Sequence, residues 1–409
     1  MPSRLSGWVE TMANKLWRKS PLKSHYHVVI IGAGVHGLSV AYHLAKSRIT
    51  DVAVLDRTYL GGGNSGRNTQ IIRANQRTPE NVAFYDQALK GWERLSQEVN
   101  FNMLIDQLGL TTLGHNLFSL ERLRLRAEVN KALGVESIMI GKERLRELFP
   151  FLDLSDKPRF PILGGLYHPR GGVIRHDAAV WGYSSAADRL GVEIHPHTKV
   201  EAVRVRDGRV AGVSAGGKEI TCDYVVNATA GWCSTIAEMV GIRLPIHSVP
   251  LQACVTEPLK PIMDGVIMSG DLAAYFYQTD RGEFVMGAEI DPYTSYSYRT
   301  TLPTLEVMAS AVVEIAPCLA NVSILRSWAG VCDITPDFSP ILCESPEVKG
   351  FVLDCGWGTY GFKTAPAAGL NVAEMIRTGE TPDVIKPFTI TRFYENRPVD
   401  EKASAGTAH

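Results

Sequence analysis

The sequence predicts an α/β fold joined to a β-rich part: a nucleotide-binding domain assembled from separated segments, with an antiparallel sheet domain inserted between them. Three observations predict it. From His27, HVVIIGAGVHGLSVAYHLAK reads as a buried strand, a glycine turn and a helix. Strand-like segments dominate 249–331, where helical spacing is scarce. Strand–helix order then returns at the C-terminal end, in GFVLDCGW (350–357) and the helical 364–377.

Taken in order, the first 24 residues stand apart. Leu5, Trp8, Val9, Met12, Leu16 and Trp17 recur every three or four residues, with Arg4, Lys15, Arg18 and Lys19 between them. That spacing predicts a short amphipathic helix, and packing on its own domain or a partner is the expected use of its apolar face. Pro21 and KSHYH make a linker. The strand and glycine turn from His27 are followed by a second strand, DVAVLD (51–56), and a glycine-rich loop at 61–68. Apolar periodicity predicts helices over 80–98, 118–134, 141–148 and 176–190. VEIHP (192–196) is strand-like, KVEAVRVRDGRVAGVSA a hairpin, and DYVVNATAGW a strand running into a turn. AAYFYQTDRGEFVMGAE is a hairpin turning at Asp280-Arg281-Gly282, and a helix follows near 304–316. The implied partition is an N-terminal extension (1–24), a nucleotide domain in three pieces (25–105, 166–247, 333–390), an inserted domain in two (106–165, 248–332) and a tail (391–409), with the last ten residues loose.

Composition narrows the function. Among 409 residues, 42 Lys+Arg face 43 Asp+Glu, and a net charge of −1 offers no field suited to nucleic acid. No apolar run approaches the ~18 residues of a membrane span, and MPSRLSGWVETMANKLW lacks the core of a secretory signal. Seven cysteines without CxxC spacing read as reduced thiols of a cytoplasmic protein, not as a disulfide frame or a zinc site, and no metal is expected.

The chemistry is carried by the glycine turns. Gly32-Ala33-Gly34-Val35-His36-Gly37 follows a buried strand and opens a helix, so its glycines allow a tight turn, close approach of a pyrophosphate and close helix–strand packing. Asp56 closes the second strand, placed to hold ribose hydroxyls. This is a Rossmann-like dinucleotide motif. Two features favour FAD over a nicotinamide: the loop GGGNSGRNT (61–69) directly after the second strand, and a second glycine-rich turn and helix in CGWGTYGFKTAPAAG (355–369). A helix beginning there points its positive end at a ligand and stabilises an anionic reduced flavin.

VVIIGAGVHGLSVAYHL, GGGNSGRNTQIIRAN, PRGGVIRHDAAVWG, VVNATAGW, SWAGVCDITPDFSPI and CGWGTYGFK together resemble the β subunits of heterotetrameric sarcosine oxidase, within the D-amino-acid-oxidase-like flavoproteins. The resemblance runs from about residue 25 almost to the end, and it makes the inserted domain a substrate domain. It implies non-covalent FAD, with Gly32, Gly34, Val35, His36, Gly37, Asp56, Asn64, Arg67, Thr69, Ile71, Val200, Gly358 and Gly361 as cofactor contacts. It also implies FMN attached to His176, with Arg175 supplying part of the positive charge. A larger, tetrahydrofolate-binding α subunit and small subunits are the implied partners, with no nucleic acid and no membrane. Arg73 and Lys363 match positions facing a substrate carboxylate, where charge-assisted hydrogen bonds orient a small zwitterion. Tyr360 departs from the family's small residue in that turn, which brings an aromatic ring to the site and widens the candidates from sarcosine to related secondary and tertiary amines. Asp56 replaces the commoner Glu, a shorter carboxylate with the same reach to ribose.

The expected function is oxidative demethylation of an N-methyl amino acid, with hydride passing to FAD and electrons on to FMN and oxygen. Two alternatives stand beside it. One is a dehydrogenase of proline or methylglutamate type that delivers electrons to a carrier. The other is a flavoprotein relay subunit without a working substrate site.

Overall fold

The computed structural model describes residues 18–401. The amphipathic helix expected at the N-terminus therefore lies, over 1–17, outside the described residues. Residues 18–24 contain no helix, and Arg18 Nε meets Asp188 Oδ1 at 3.1 Å.

One eight-stranded sheet forms the nucleotide domain. His25–Ile31 runs parallel to Val52–Leu55 on one side and to Lys218–Asn227 on the other; Glu193–His195 and Phe351–Cys355 extend the parallel part outward. The ribbon Val200–Arg206/Arg209–Ala215 and the strand Ile341–Glu344 pair antiparallel at its margins. The VVII run is apolar throughout because both faces of its strand are covered. Val28 and Ile30 join the core under the helices Val35–Lys46, Pro79–Glu98, His176–Arg189 and Gly361–Thr378. Val29 and Ile31 join the opposite core with Val213, Ile220 and Ile236.

The second eight-stranded sheet runs in the order Ile324–Ile334, His247–Pro258, Glu283–Ile290, Ala274–Gln278, Val266–Ser269, Leu110–Gly114, Gly164–His168, Ile138–Ile140. It departs from the expected antiparallel sheet at one place: Val266–Ser269 and Leu110–Gly114 pair parallel, where the two sequence segments meet. Phe276, Phe284 and Met286 pack against Met308, Val312 and Ile315 of the helix Leu302–Ile315. The expected boundaries at 165/166 and 332/333 fall inside the strands Gly164–His168 and Ile324–Ile334, because sheet pairing runs past the point where the composition changes. Ile71–Ile72, Gly172–Ile174 and Ile105–Asp106 form a separate three-stranded antiparallel sheet.

The expected tail needs correction. Arg392 is buried and paired with Asp337 (2.8 and 3.0 Å), Val399 is buried, and Glu401 is fully buried. The Glu401 carboxylate accepts the backbone N–H groups of Arg77 (2.7 Å) and Thr78 (3.0 Å), just ahead of the helix Pro79–Glu98. A carboxylate at that end of a helix meets unsatisfied donors and a favourable dipole, and this holds the chain down as far as residue 401.

Candidate active site

A cavity of about 500 Å³ runs between the two sheets, from the first glycine turn to the start of the C-terminal helix. At Gly32 the backbone takes φ +110°, and a methyl group would stand 2.4 Å from the Ala228 carbonyl oxygen. At Gly37 an added Cβ would meet the Gly32 carbonyl oxygen at 2.0 Å. These two glycines serve the turn itself. Gly34 differs: its φ is an ordinary −77°, an added Cβ would touch only Ser65 Oγ at 3.0 Å, and the residue faces the cavity. Ala33 N–H donates to Asp56 Oδ2 (2.8 Å), while Asp56 Oδ1 accepts the Thr58 N–H and hydroxyl (2.7 and 2.9 Å). The acid is thereby held at the cavity wall beside the turn.

The glycine-rich loop is tied to the other sheet. Asn64 Nδ2 donates to the Val331 carbonyl (2.6 Å), and its Oδ1 accepts the Val331 N–H (2.9 Å). Arg67 lies over the Tyr298 ring at 4.2 Å, with its buried Nε lacking a hydrogen-bond partner among the described residues. Thr69 Oγ1 reaches the Tyr275 hydroxyl at 3.3 Å. His36 joins the two glycine motifs: Nδ1 meets Asp354 Oδ1 at 2.8 Å and Nε2 the Gly361 carbonyl at 2.7 Å. Burial works against its imidazolium, but Asp354 and that carbonyl outweigh it and raise the pKa.

Two cations that line the cavity lie together. Arg73 is buried, with Nη1 3.2 Å from both the carbonyl and Oδ1 of Asn75. Both predicted carboxylate holders lie against the Tyr360 ring: the Arg73 guanidinium is 5.5 Å and Lys363 Nζ 4.8 Å from its centre. The Tyr360 hydroxyl is buried, and burial pushes it up to about 12. Burial, then repulsion from Arg73, holds the Lys363 ammonium well below the usual lysine range. An anion placed here would relieve that cost.

Residues 27–375 match the family described as FAD dependent oxidoreductase. The chain belongs to that family. It is 42% identical over 387 residues to the sarcosine oxidase subunit beta of Rhizobium meliloti (strain 1021), covering 94% of this chain and 92% of that one. It is 39% identical over 396 residues to the sarcosine oxidase subunit beta of an Arthrobacter species, covering 96% and 97%. Among solved structures it superposes on L-proline dehydrogenase from P. horikoshii with a TM-score of 0.87 and 27% identity, covering 92% of this chain and all (100%) of that one.

For an FAD dependent oxidoreductase the cavity is apt: Gly34 leaves room at a helix N-terminus, Asp56 stands beside it, and the buried Arg67 Nε lacks an acceptor among the described residues. Of the predicted residues, Gly32, Gly34, Val35, His36, Asp56, Asn64, Arg67, Thr69, Ile71, Arg73, Val200, Gly358, Tyr360, Gly361 and Lys363 all line this cavity. Gly37, Arg175 and His176 do not. Gly37 acts one layer back, in helix–strand packing. His176 opens the helix His176–Arg189, outside the cavity. Its Nδ1 is buried with no partner among the described residues, and burial together with Arg175 and Arg326 lowers its pKa despite Asp177. Arg175 turns toward Asp177 at 3.4 Å.

Sequence reasoning missed Arg126, which is buried at the cavity wall and bonded to the Asn75 carbonyl through Nε (2.7 Å) and Nη2. Burial and Arg73 pull it down to about 9. It also missed Arg122 and Asp333, the latter accepting the Gly356 N–H at 2.6 Å. In LERLRLRAEVN three arginines alternate, and periodicity alone does not separate Arg124, which pairs with Glu121 on the surface, from its two neighbours.

Proposed function

We propose that this chain oxidises a carboxylated secondary or tertiary amine of the N-methyl amino acid type, as the catalytic subunit of a heteromeric flavoenzyme. The carrying observation is the buried pair Arg73 and Lys363 against Tyr360, lining the same cavity as the glycine turn. FAD, when bound, supplies the acceptor for one hydride, that is two electrons and a proton. The protein's own residues do the rest. Arg73 and Lys363 take the substrate carboxylate, and Tyr360 limits where the carbon chain lies between them. The same cations lower the pKa of an ammonium held nearby, which favours the free amine, the form able to give up hydride from its N-methyl carbon. Burial of the site excludes bulk water from the reacting end.

The reading extends to FMN carried on His176. Its support is an imidazole apart from the cavity whose charged form is disfavoured by burial, Arg175 and Arg326, and whose buried Nδ1 has no partner among the described residues. A flavin there would need a second protein surface to cover it, and relatives named as a β subunit fit such an assembly, with oxygen as final acceptor and the cytoplasm as compartment. The likeness to L-proline dehydrogenase favours a second reading, in which an imino acid is the substrate and a carrier takes the electrons. Anaerobic bleaching of the flavin by sarcosine, N-methyl amino acids and proline tests the function directly. Rapid bleaching by at least one of these is expected, and a flavin indifferent to all of them would leave only a relay role. Oxygen uptake measured against dye reduction then separates the two readings.

A further inference from the structure

Arg122 and Arg126 lie one turn apart on the helix Leu117–Ala132 and both line the cavity. Arg126 is 6% exposed, yet its polar contacts are the Asn75 carbonyl, reached through Nε and Nη2, and the Asn75 Oδ1, reached through Nη2 at 3.1 Å. Its Nη1 donates to no group among the described residues, and neither arginine forms a salt bridge there. The carboxylates nearby are engaged elsewhere: Asp271 accepts the His115 N–H and the Asn116 amide, and Glu401 accepts the Arg77 and Thr78 N–H groups. A guanidinium this deeply buried with only neutral acceptors is costly. The same Asn75 oxygens also accept Arg73 Nη1, so Arg126 stands directly beside the end of the cavity that takes the first carboxylate.

From this we infer that Arg126, with Arg122 behind it, is a second anion site that selects an N-alkylated amino acid bearing a side-chain carboxylate. The inference rests on the reading given under Proposed function, which assigns the α-carboxylate to Arg73 and Lys363. A monocarboxylic zwitterion satisfies that pair and leaves the guanidinium groups of the helix facing the cavity. A dicarboxylic one reaches both, through charge-assisted hydrogen bonds that a neutral chain of equal length does not make.

The test compares N-methyl-L-glutamate with its neutral counterpart N-methyl-L-norvaline, as kcat/KM on the holoenzyme. The diacid is expected to be preferred, and Arg126→Met to reduce that preference roughly 10–100-fold. Arg122→Met, which leaves Asn75 untouched, should reduce it less but in the same direction. An equal loss on both compounds in Arg126→Met would mean that the residue only holds Asn75 and Arg73, and would overturn the inference. So would a wild type that prefers the neutral compound. Should no amine bleach the flavin, the oxidase reading fails separately, and titration of the flavin absorbance with glutarate against butyrate decides the anion site alone: tighter glutarate binding that is lost in Arg126→Met supports it, and equal binding refutes it.

Discussion

Lys363 is a lysine buried beside an arginine, and its chemistry follows from that position. Binding a carboxylate favours its charged form, so proton uptake accompanies binding whenever the free enzyme holds the neutral amine. The sign is definite: butyrate, which carries no amine of its own, should bind best at low pH and weaken as pH rises above the depressed pKa of Lys363. In Lys363→Met that slope should vanish, as flavin absorbance titrations would show. Removing either arm of the clamp, Arg73→Ala or Lys363→Ala, should lower kcat/KM by about 10–150-fold, the effect of ~1.5–3 kcal/mol, with flavin absorbance nearly unchanged. Tyr360 lies against both cations, so Tyr360→Gly should shift the ranking of sarcosine against bulkier or cyclic amino acids. An unaltered ranking would remove Tyr360 from the specificity of the site.

At the scale of elements, the three glycines of the first turn separate into two tasks. Gly37 has no room for a methyl group, because the Gly32 carbonyl oxygen would lie 2.0 Å away, so Gly37→Ala should destabilise the fold by roughly 1–3 kcal/mol, read as a lowered midpoint of unfolding. Gly34 faces the cavity with ordinary backbone angles. Gly34→Val should therefore keep the secondary structure and lose FAD, and stoichiometric FAD in that variant would refute its place at the pyrophosphate. The segment ending at Glu401 makes a third case. Its carboxylate accepts two N–H groups ahead of the helix Pro79–Glu98, and Glu401→Ala should cost about 1–3 kcal/mol as those buried donors lose their acceptor.

For the whole molecule, the two sheets enclose one cavity, and His176 stands outside it on the helix His176–Arg189. A flavin carried there belongs to a different surface from the substrate site. His176→Ala should thus abolish acid-stable yellow colour while anaerobic bleaching of the remaining flavin by substrate survives. Colour that is entirely acid-released from the wild type would end the covalent assignment. The assembly makes the matching forecast: light scattering should show a heteromer with the partner subunits, and a fully active FMN-loaded monomer would contradict it.

How much of this was legible in the chain depends on range. Glycine turns, strand–helix order and hairpins are local: Gly32 to Asp56 lie in one continuous segment, and their spacing already dictates a parallel pair with a helix between. The same holds for the turn that carries Tyr360 and Lys363, whose residue types point to anion binding. What the sequence could not decide is which side chains from distant segments meet. Arg122, Arg124 and Arg126 read alike along the helix, yet one points to solvent and two face the cavity, because only the packing of that helix over the second sheet sets its rotation. Glu401 looks like part of a polar tail until the helix that begins at Pro79 presents it with buried donors. Motif chemistry was determined by the sequence alone, since it needs only neighbours. The charge balance of the cavity was decided by tertiary structure, since burial and long-range contacts set which cations keep a partner.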